Sequence, residues 1–226
     1  MSIVIDCGTS GGAERDRGLT AATAAIRRGD LVVFPTETSY AVAADAFTPG
    51  ALQRLRDVKG RGSDMALPVL VASSRMAQGI VTSLTDEAKT AMDAFWPGPL
   101  TLVALQQSTL SWYVVGESVS VRMPIHPLAL ALISRSGPVV AVTANMAGAP
   151  AASTCEQARS QLGDSVAVYL DAGPRAAGQA SNVIDVTVSP PALLRAGPFS
   201  VAALRAVIPH LDVAEPDLPD DLSPSA

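Results

Sequence analysis

Four hydroxyl groups and one carboxylate occupy five consecutive positions, Thr36-Glu37-Thr38-Ser39-Tyr40, directly after the run Leu31-Val32-Val33-Phe34-Pro35. The length and β-branched content of that run predict a buried strand. Pro35 ends it, because proline cannot donate to a sheet ladder. Donors and acceptors then gather at a strand end, which is where open α/β sheets bind ligands. A second group of reactive types follows at Arg54, Arg56, Lys59 and Arg61. The Lys59-Gly60-Arg61 step sets two cations beside a flexible glycine, a pattern able to hold phosphate oxygens. The same groups also have a structural use, since hydroxyls satisfy turns and cations favour helix C-termini. Residue types alone leave both readings open.

The elements that must position these groups can be read from pattern. Ala13 to Arg28 is an Ala-rich helix stopped by Gly29-Asp30, and Thr48-Pro49 opens the helix that ends in the Lys-Gly-Arg step. Pro68 to Val71, Thr101 to Leu105, Ser118 to Met123, Pro138 to Val142, Val166 to Leu170, Val183 to Val186 and Ala192 to Arg195 read as strands, with a further short one at Ile3-Val4-Ile5. Ser74 to Val81 is helical, as is the segment opened by Thr85-Asp86-Glu87, which gives it a cap and favourable first-turn charge. Trp96-Pro97-Gly98-Pro99 breaks that second helix, and Trp96 is read as a wedge as readily as a site. Along Ser118 to Met123 the residues alternate, so that Ser118, Ser120 and Arg122 share one face and point away from the core. Thr143-Ala144-Asn145 is a polar turn at a strand end, Ser153 or Thr154 caps the helix through Leu162, and Val201 to Ile208 is the last helix.

Length and composition bound the class. A chain of 226 residues can bury its own core without metal or disulfide support. No apolar run approaches the roughly 20 residues of a membrane helix, and the N-terminus lacks signal-peptide organisation, so a cytoplasmic protein with no membrane partner is expected. Cys7 and Cys155 are isolated from one another and from any histidine cluster, which gives metal ligation and redox pairing no support. His126 and His210 are the only histidines, and no Ser-His-Asp set or acid/base pair can be assembled around them. That pattern suits a chemistry carried by binding and electrostatics. The net charge is −5, yet five of the 21 acidic residues lie in the segment 209–226, which has no Lys or Arg. The rest balances 16 acidic against 16 basic residues, so the body is neutral and its cations between Arg54 and Arg61 mark a local anion site. The segment 209–226, acidic and Pro-rich, is expected to be a disordered tail beside a single domain over 1–208.

Six tags in order carry a resemblance: Pro35-Thr36-Glu37-Thr38-Ser39-Tyr40 with Lys59-Gly60-Arg61, then Trp96-Pro97-Gly98-Pro99-Leu100-Thr101, Arg122-Met123-Pro124, Thr143-Ala144-Asn145 with Gly148, Ser181-Asn182-Val183-Ile184-Asp185, and Leu194-Arg195-Ala196-Gly197. Together they resemble the YrdC-like family, the L-threonylcarbamoyladenylate synthases, over about residues 20 to 205. The resemblance implies a YrdC-like twisted open mixed α/β sheet with flanking helices and a concave cationic pocket. It implies a nucleotidyltransferase that makes threonylcarbamoyl-adenylate and pyrophosphate from L-threonine, bicarbonate and ATP, with Mg²⁺ sharing the charge. tRNA would be served indirectly, through downstream modification enzymes. By resemblance, Thr36, Arg122, Thr143 and Ser181 match threonine-binding positions. Lys59, Arg61, Ser118, Asn145, Ser153 and Arg195 match ATP-binding positions, with Lys59 and Arg61 catalytic.

The chain departs from the family pattern at Ala41 and Ala43, where glycines are usual, at Thr143 and Ala147, at Asn182, and at Gly62 after the Lys-x-Arg step. The C-terminal domain of longer members is not expected in the 20-odd residues after the last helix. Ala41, Ala43, Thr143 and Asn182 predict a smaller or reshaped amino-acid pocket. Two other readings share these residues: a carbamoyl-transfer enzyme of the same fold with another acceptor, and a non-catalytic RNA- or nucleotide-binding module. An aromatic content of 4% and only two lysines argue against the latter.

Overall fold

The structure is a computed structural model, and it describes residues 2–8, 12–60, 67–82, 84–107, 117–176 and 178–213. In chain order its elements are β1 (Ile3–Asp6), α1 (Gly12–Arg27), β2 (Val32–Pro35), β3 (Tyr40–Asp45), α2 (Pro49–Lys59), β4 (Val69–Leu70), α3 (Ser74–Gln78), α4 (Asp86–Phe95), β5 (Leu100–Leu105), β6 (Ser118–Arg122), α5 (Pro127–Ser136), β7 (Val139–Thr143), α6 (Cys155–Leu162), β8 (Val168–Asp171), β9 (Asn182–Asp185), β10 (Ala192–Arg195), α7 (Val201–Val207) and β11 (Asp212–Val213). Among the described residues the strands form one open sheet in the order β1-β8-β2-β3-β7-β4-β6-β5-β9-β10-β11. The sheet is mixed: β1, β8 and β2 run parallel, β2-β3-β7-β4 antiparallel, and β5 pairs parallel with β9.

Alternation along the strands builds two apolar layers, one on each face. Val33, Tyr40, Val42, Val69, Leu102, Val121, Val140 and Ile184 join one core with Leu52 and Leu55 of α2, Met92 of α4, Ala158 of α6 and Leu204 of α7. Val32, Phe34, Ala41, Ala43, Leu70, Val139 and Ala141 look the other way, and α1 and α5 cover them through Leu19, Ile26, Leu128 and Leu132. This second cover is partial. Among the described residues α1 packs on β1, β8, β2 and β3 and α5 packs on α1 and β2, and their layer reaches Val139 and Ala141 of β7 and Leu70 of β4, so the face from the Thr143 end of β7 across β6, β5, β9 and β10 lies beyond that layer. There the strands carry Thr101, Ser118, Ser120, Arg122 and Thr143 at outward positions.

Residues expected to begin the tail belong to the body. Leu211 is buried in the first core, and Asp212 and Val213 pair with Ala192 and Leu193 of β10. The body therefore reaches at least to Val213, because an apolar Leu-x-Val step buries one side chain and extends the sheet. The remaining tail, 214–226, lies outside the described residues. Trp96 is the wedge allowed by its sequence: it is buried, and its indole N–H donates to the Leu100 carbonyl at 2.7 Å.

Candidate active site

The face beyond the layer of α1 and α5 floors a cavity of about 470 Å³. Its walls are set by four connections. At the end of β2 the backbone turns back within Pro35-Thr36-Glu37-Thr38-Ser39, and Thr36 closes the turn: its N–H and its hydroxyl both donate to the Ser39 carbonyl at 2.8 Å. Thr36 is thereby buried with its hydroxyl oxygen also within 3.3 Å of the Thr38 and Ser39 amides, and Thr36, Thr38 and Ser39 all line the cavity. Glu37 reaches across to β6. Its carboxylate forms an ion pair with the Arg122 guanidinium and accepts the Ile125 N–H at 3.3 Å, in surroundings that leave the two side chains 18% and 12% exposed. Arg122 Nε donates to the Gly98 carbonyl at 3.3 Å, which ties the Trp-Pro-Gly-Pro corner to the same guanidinium.

The opposite wall is made by β9, β10 and the chain between β8 and β9. Arg195 reaches it through a β-bulge. Leu193 pairs with Ile184 and Arg195 with Val183, so two steps on β10 answer one on β9. Leu193 packs on the first core, and without the bulge Arg195 would share its face. Instead Arg195 lines the cavity, donating from Nε to the Ser181 carbonyl at 2.9 Å and from Nη2 to Ser181 Oγ at 3.1 Å. Ser181 Oγ lies 2.9 Å from Thr101 Oγ1 on β5. Gly197 permits the chain after β10 to cross at backbone contact: a Cβ there would stand 2.3 Å from the Asn182 nitrogen.

The Lys59 ammonium reaches the end of β7, 84 residues away. It donates to the Thr143 carbonyl and to Asn145 Oδ1, both at 2.9 Å, and to the Asn145 carbonyl, while Asn145 Nδ2 holds the Ala149 carbonyl at 2.6 Å. Lys59 is the last residue of α2, which Gly60 closes in the left-handed region at φ 58°.

The expected residues divide accordingly. Thr36, Arg122, Thr143, Ser181 and Arg195 line one cavity. Lys59 and Asn145 meet each other behind the β7 end and are not in its lining. Ser118 is on the cavity face of β6, one alternation beyond Ser120, but outside the lining. Ser153 is also outside it, with its hydroxyl on Gln157 Oε1 at 3.0 Å, and the helix cap falls to Thr154. Arg61 lies outside the described residues. Thr101 lines the cavity with no mark in the sequence beyond its place in the Trp-Pro-Gly-Pro tag, whereas Ser120 was legible from alternation with Arg122.

The departures are also sorted by the sheet. Ala41 and Thr143 are direct cross-strand partners and both line the cavity. Ala43 sits in the core beneath α1 and α5, so it does not reshape the pocket. Asn182 does not either. It lies on the other face of β9, fully buried, and its amide exchanges two hydrogen bonds with Phe199, to the carbonyl at 3.0 Å and from the N–H at 2.9 Å.

His126 is a structural group at the start of α5. It is the N-cap of α5, where Nδ1 accepts the Leu128 N–H at 3.2 Å. Burial, reinforced by the Arg175 charge and opposed by Glu37, lowers its pKa from 6.5 to about 4. The ring is therefore neutral at pH 7, the form that can accept the bond. Burial raises the Cys155 thiol to about 12 and the Tyr40 phenol above its usual value, so both stay protonated inside the first core. The Tyr40 hydroxyl is held by the Gly173 carbonyl at 2.8 Å and the Ala172 N–H at 3.1 Å.

An open mixed sheet with two arginines and a group of hydroxyls lining one cavity on a face defines an α/β protein with a ligand-sized pocket. The chain belongs to the Sua5/YciO/YrdC family, whose model, described as telomere recombination, matches residues 24–197. It is 43% identical over 210 residues to a provisionally named threonylcarbamoyl-AMP synthase of Mycobacterium tuberculosis, covering 92% of this chain and 96% of that one. It is 37% identical over 202 residues to the threonylcarbamoyl-AMP synthase of Bacillus subtilis, covering 88% of this chain and 58% of that one. Sua5 of Pyrococcus abyssi complexed with L-threonine superposes with a TM-score of 0.86 at 32% identity, over 94% of this chain and 62% of that one. The chain thus spans nearly the whole of the mycobacterial relative and about six-tenths of the other two.

Proposed function

We propose that this chain is a threonylcarbamoyl-AMP synthase, joining L-threonine, bicarbonate and ATP into threonylcarbamoyl-adenylate with release of pyrophosphate, for modification of adenosine in tRNA by later enzymes. The observation that carries the reading is the placement of Arg122 and Arg195 on one hydroxyl-lined cavity. The amine of threonine, once joined to bicarbonate with loss of water, becomes an N-carboxylate, and its oxygen must displace pyrophosphate at the α-phosphorus of ATP. Both reactants are anions, so their approach needs fixed cations and donors.

Arg122, Thr36, Thr143 and Ser181 are assigned to threonine. Glu37 holds the Arg122 guanidinium in place and draws only part of its five-donor fork, so a carboxylate can share it. The methyl groups of Ala41 and Thr143 offer an apolar wall to the side chain of the amino acid. Arg195 is assigned to ATP, together with Lys59 and Asn145, whose joined groups fix the end of β7, and with Ser118 and Ser153; Arg61 is assigned to it from its place in the Lys-Gly-Arg step alone. The described residues contain no group of three or more His, Cys, Asp or Glu able to hold a metal, and the Glu37 carboxylate is engaged by Arg122 and Ile125. The described protein surface thus offers Mg²⁺ no carboxylate set. Mg²⁺ would accompany the triphosphate and neutralise its charge, as that ion commonly does when bound through substrate phosphates.

The test is pyrophosphate release from ATP and bicarbonate with threonine, serine and glycine in turn. Release that depends on threonine is expected. Release with none of the three would overturn the assignment, and release with carbamoyl phosphate and another acceptor in place of threonine would favour a carbamoyl transferase of this fold.

A further inference from the structure

We infer that Tyr40 is a positioning residue for the amino-acid side of the cavity: its hydroxyl fixes the start of the connection from β8 to β9, and through it the wall that Gly178 and Ala180 give that cavity. The inference rests on the synthase reading and deepens it. Tyr40 is fully buried in the first core and is not in the cavity lining, yet segments on three sides of the cavity meet on it. Its N–H donates to the Ala152 carbonyl and its carbonyl accepts the Ala144 N–H, both at 2.9 Å, which joins the Thr36–Ser39 turn to the loop after β7. The hydroxyl makes the third connection. Its single proton faces the Gly173 carbonyl at 2.8 Å and Asp171 Oδ1 at 3.1 Å, and its oxygen accepts the Ala172 N–H at 3.1 Å. Asp171 Oδ1 also accepts the Gly173 N–H at 2.9 Å, and Gly173 turns in the left-handed region at φ 77°. One phenol thus holds a complete turn of backbone at the end of β8.

That turn is the root of the wall. Beyond it the Arg175 N–H donates to the Ser153 carbonyl at 2.7 Å, and the Arg175 guanidinium folds back onto the Ala172 carbonyl at 3.1 Å. The Gly178 N–H then reaches the Thr38 carbonyl at 3.3 Å, in a contact so close that a Cβ on Gly178 would stand 3.0 Å from Thr38 Cα. The far end of the wall therefore hangs on one long hydrogen bond, and its root hangs on the phenol. Without the hydroxyl the Ala172 N–H loses its acceptor and the Gly173 carbonyl its donor, and a turn with unmet backbone groups opens more often. An open wall takes Gly178 and Ala180 away from the Thr36–Ser39 turn, so only the closed fraction binds the amino acid, and the apparent affinity falls by that fraction. The ATP side is spared. Lys59 and Asn145 meet at the loop after β7, which Tyr40 holds through backbone bonds that a phenylalanine would keep.

The experiment compares wild type with Tyr40→Phe, which keeps the ring and removes the hydroxyl, and with Asp171→Asn, which keeps an acceptor at Oδ1. Limited trypsin digestion reads the wall directly, because the bond after Arg175 lies within it, whereas the bonds after Arg159 in α6 and Arg205 in α7 open only with wider unfolding. Cleavage after Arg175 should accelerate about ten-fold in Tyr40→Phe, as loss of one buried hydrogen bond implies, while cleavage in α6 and α7 stays within about two-fold. By calorimetry threonine should bind about ten-fold more weakly and ATP within about two-fold of wild type. Asp171→Asn should match wild type throughout. Unchanged cleavage after Arg175, equal acceleration at all three bonds, or threonine and ATP affinities that fall together would overturn the positioning role. If Tyr40→Phe does not fold, Asp171→Ala, which takes Oδ1 from both the phenol and the Gly173 N–H, replaces it with the same expected results. A wild type that binds no threonine and releases no pyrophosphate would bring down the synthase reading alone. The digestion then decides the positioning role: selective acceleration after Arg175 supports it, and unselective or absent acceleration overturns it.

Discussion

At the scale of single residues, Lys59 separates structure from binding. A lysine that is 5% exposed needs acceptors, and the Thr143 carbonyl with both oxygens of Asn145 supplies three. Replacing it with Met keeps the length and leaves those acceptors without their ammonium at the end of β7. A cost of roughly 2–4 kcal/mol in unfolding free energy is expected from such unmet buried groups, together with weaker ATP binding. Arg195→Gln should behave differently. Arg195 is exposed, so its loss should cost less than about 1 kcal/mol while ATP binding still falls about ten-fold. Urea unfolding and calorimetric titration of both variants separate the two effects. A Lys59→Met protein with a wild-type urea midpoint would show that the strand end does not depend on the ammonium. Asn182 makes the same point about what a residue type can reveal. As an amide beside Ser181 it read as a change to the pocket, but a strand reverses side-chain direction at every step, and Asn182 shares the face of Ile184 and not that of Val183.

At the scale of elements, much was legible because each signal was local. The alternation of Ser118, Ser120 and Arg122, the Thr-Pro start of α2 and the Thr85 cap, whose hydroxyl accepts the Ala88 N–H at 3.1 Å, all follow from neighbours in sequence. The bulge at Leu193/Arg195 was not legible, since it depends on how β10 registers against β9, and it alone brings Arg195 to the cavity. The pairing of Thr101 with Arg122 was hidden for the same reason. α5 adds a titratable element. Its cap needs neutral His126, whose pKa of about 4 lies below the 6.5 of the free side chain. Between those values the unfolded chain binds the proton and the folded one does not, so stability rises with pH there. The contribution is complete above about pH 6.5 and is lost as pH falls through about 4. His126→Asn keeps a good N-cap without the titration. Its urea midpoint should fall less than that of wild type between pH 6.5 and 4.5, and equal losses would assign the acid sensitivity to other groups.

At the scale of the whole molecule, the site exists because the two faces of one sheet are covered unequally. Among the described residues the first core runs from Tyr169 of β8 to β10 and β11, while the second, under α1 and α5, reaches from Ile5 of β1 to Leu70 of β4 and includes no residue of β6, β5, β9 or β10. The rest of that face keeps its polar groups exposed to ligand on a floor whose other surface is fully packed, which holds those groups still. The order of the strands, which sets this asymmetry, comes from contacts between residues far apart in sequence, and no periodicity reports it. The same dependence places the boundary of the domain. β11 lies at the far edge of the sheet, with the Asp212 N–H on the Pro191 carbonyl at 2.8 Å and Leu211 buried, 2% exposed, under α7 and β10. The residues after Val213 carry four acids, no cation and few large apolar groups, a composition from which little contribution to the fold is expected. A chain ending at Val213 should therefore melt within about a degree of the full chain and bind ATP with unchanged affinity, whereas one ending at Ile208 should melt several degrees lower, since about 1 kcal/mol shifts a domain of this size by roughly 2–4 °C. Thermal melts of the two truncated chains, with ATP titrations, check both halves. If ending at Val213 lowers the melting temperature as much as ending at Ile208, the acidic segment contributes to the fold and the boundary lies beyond it.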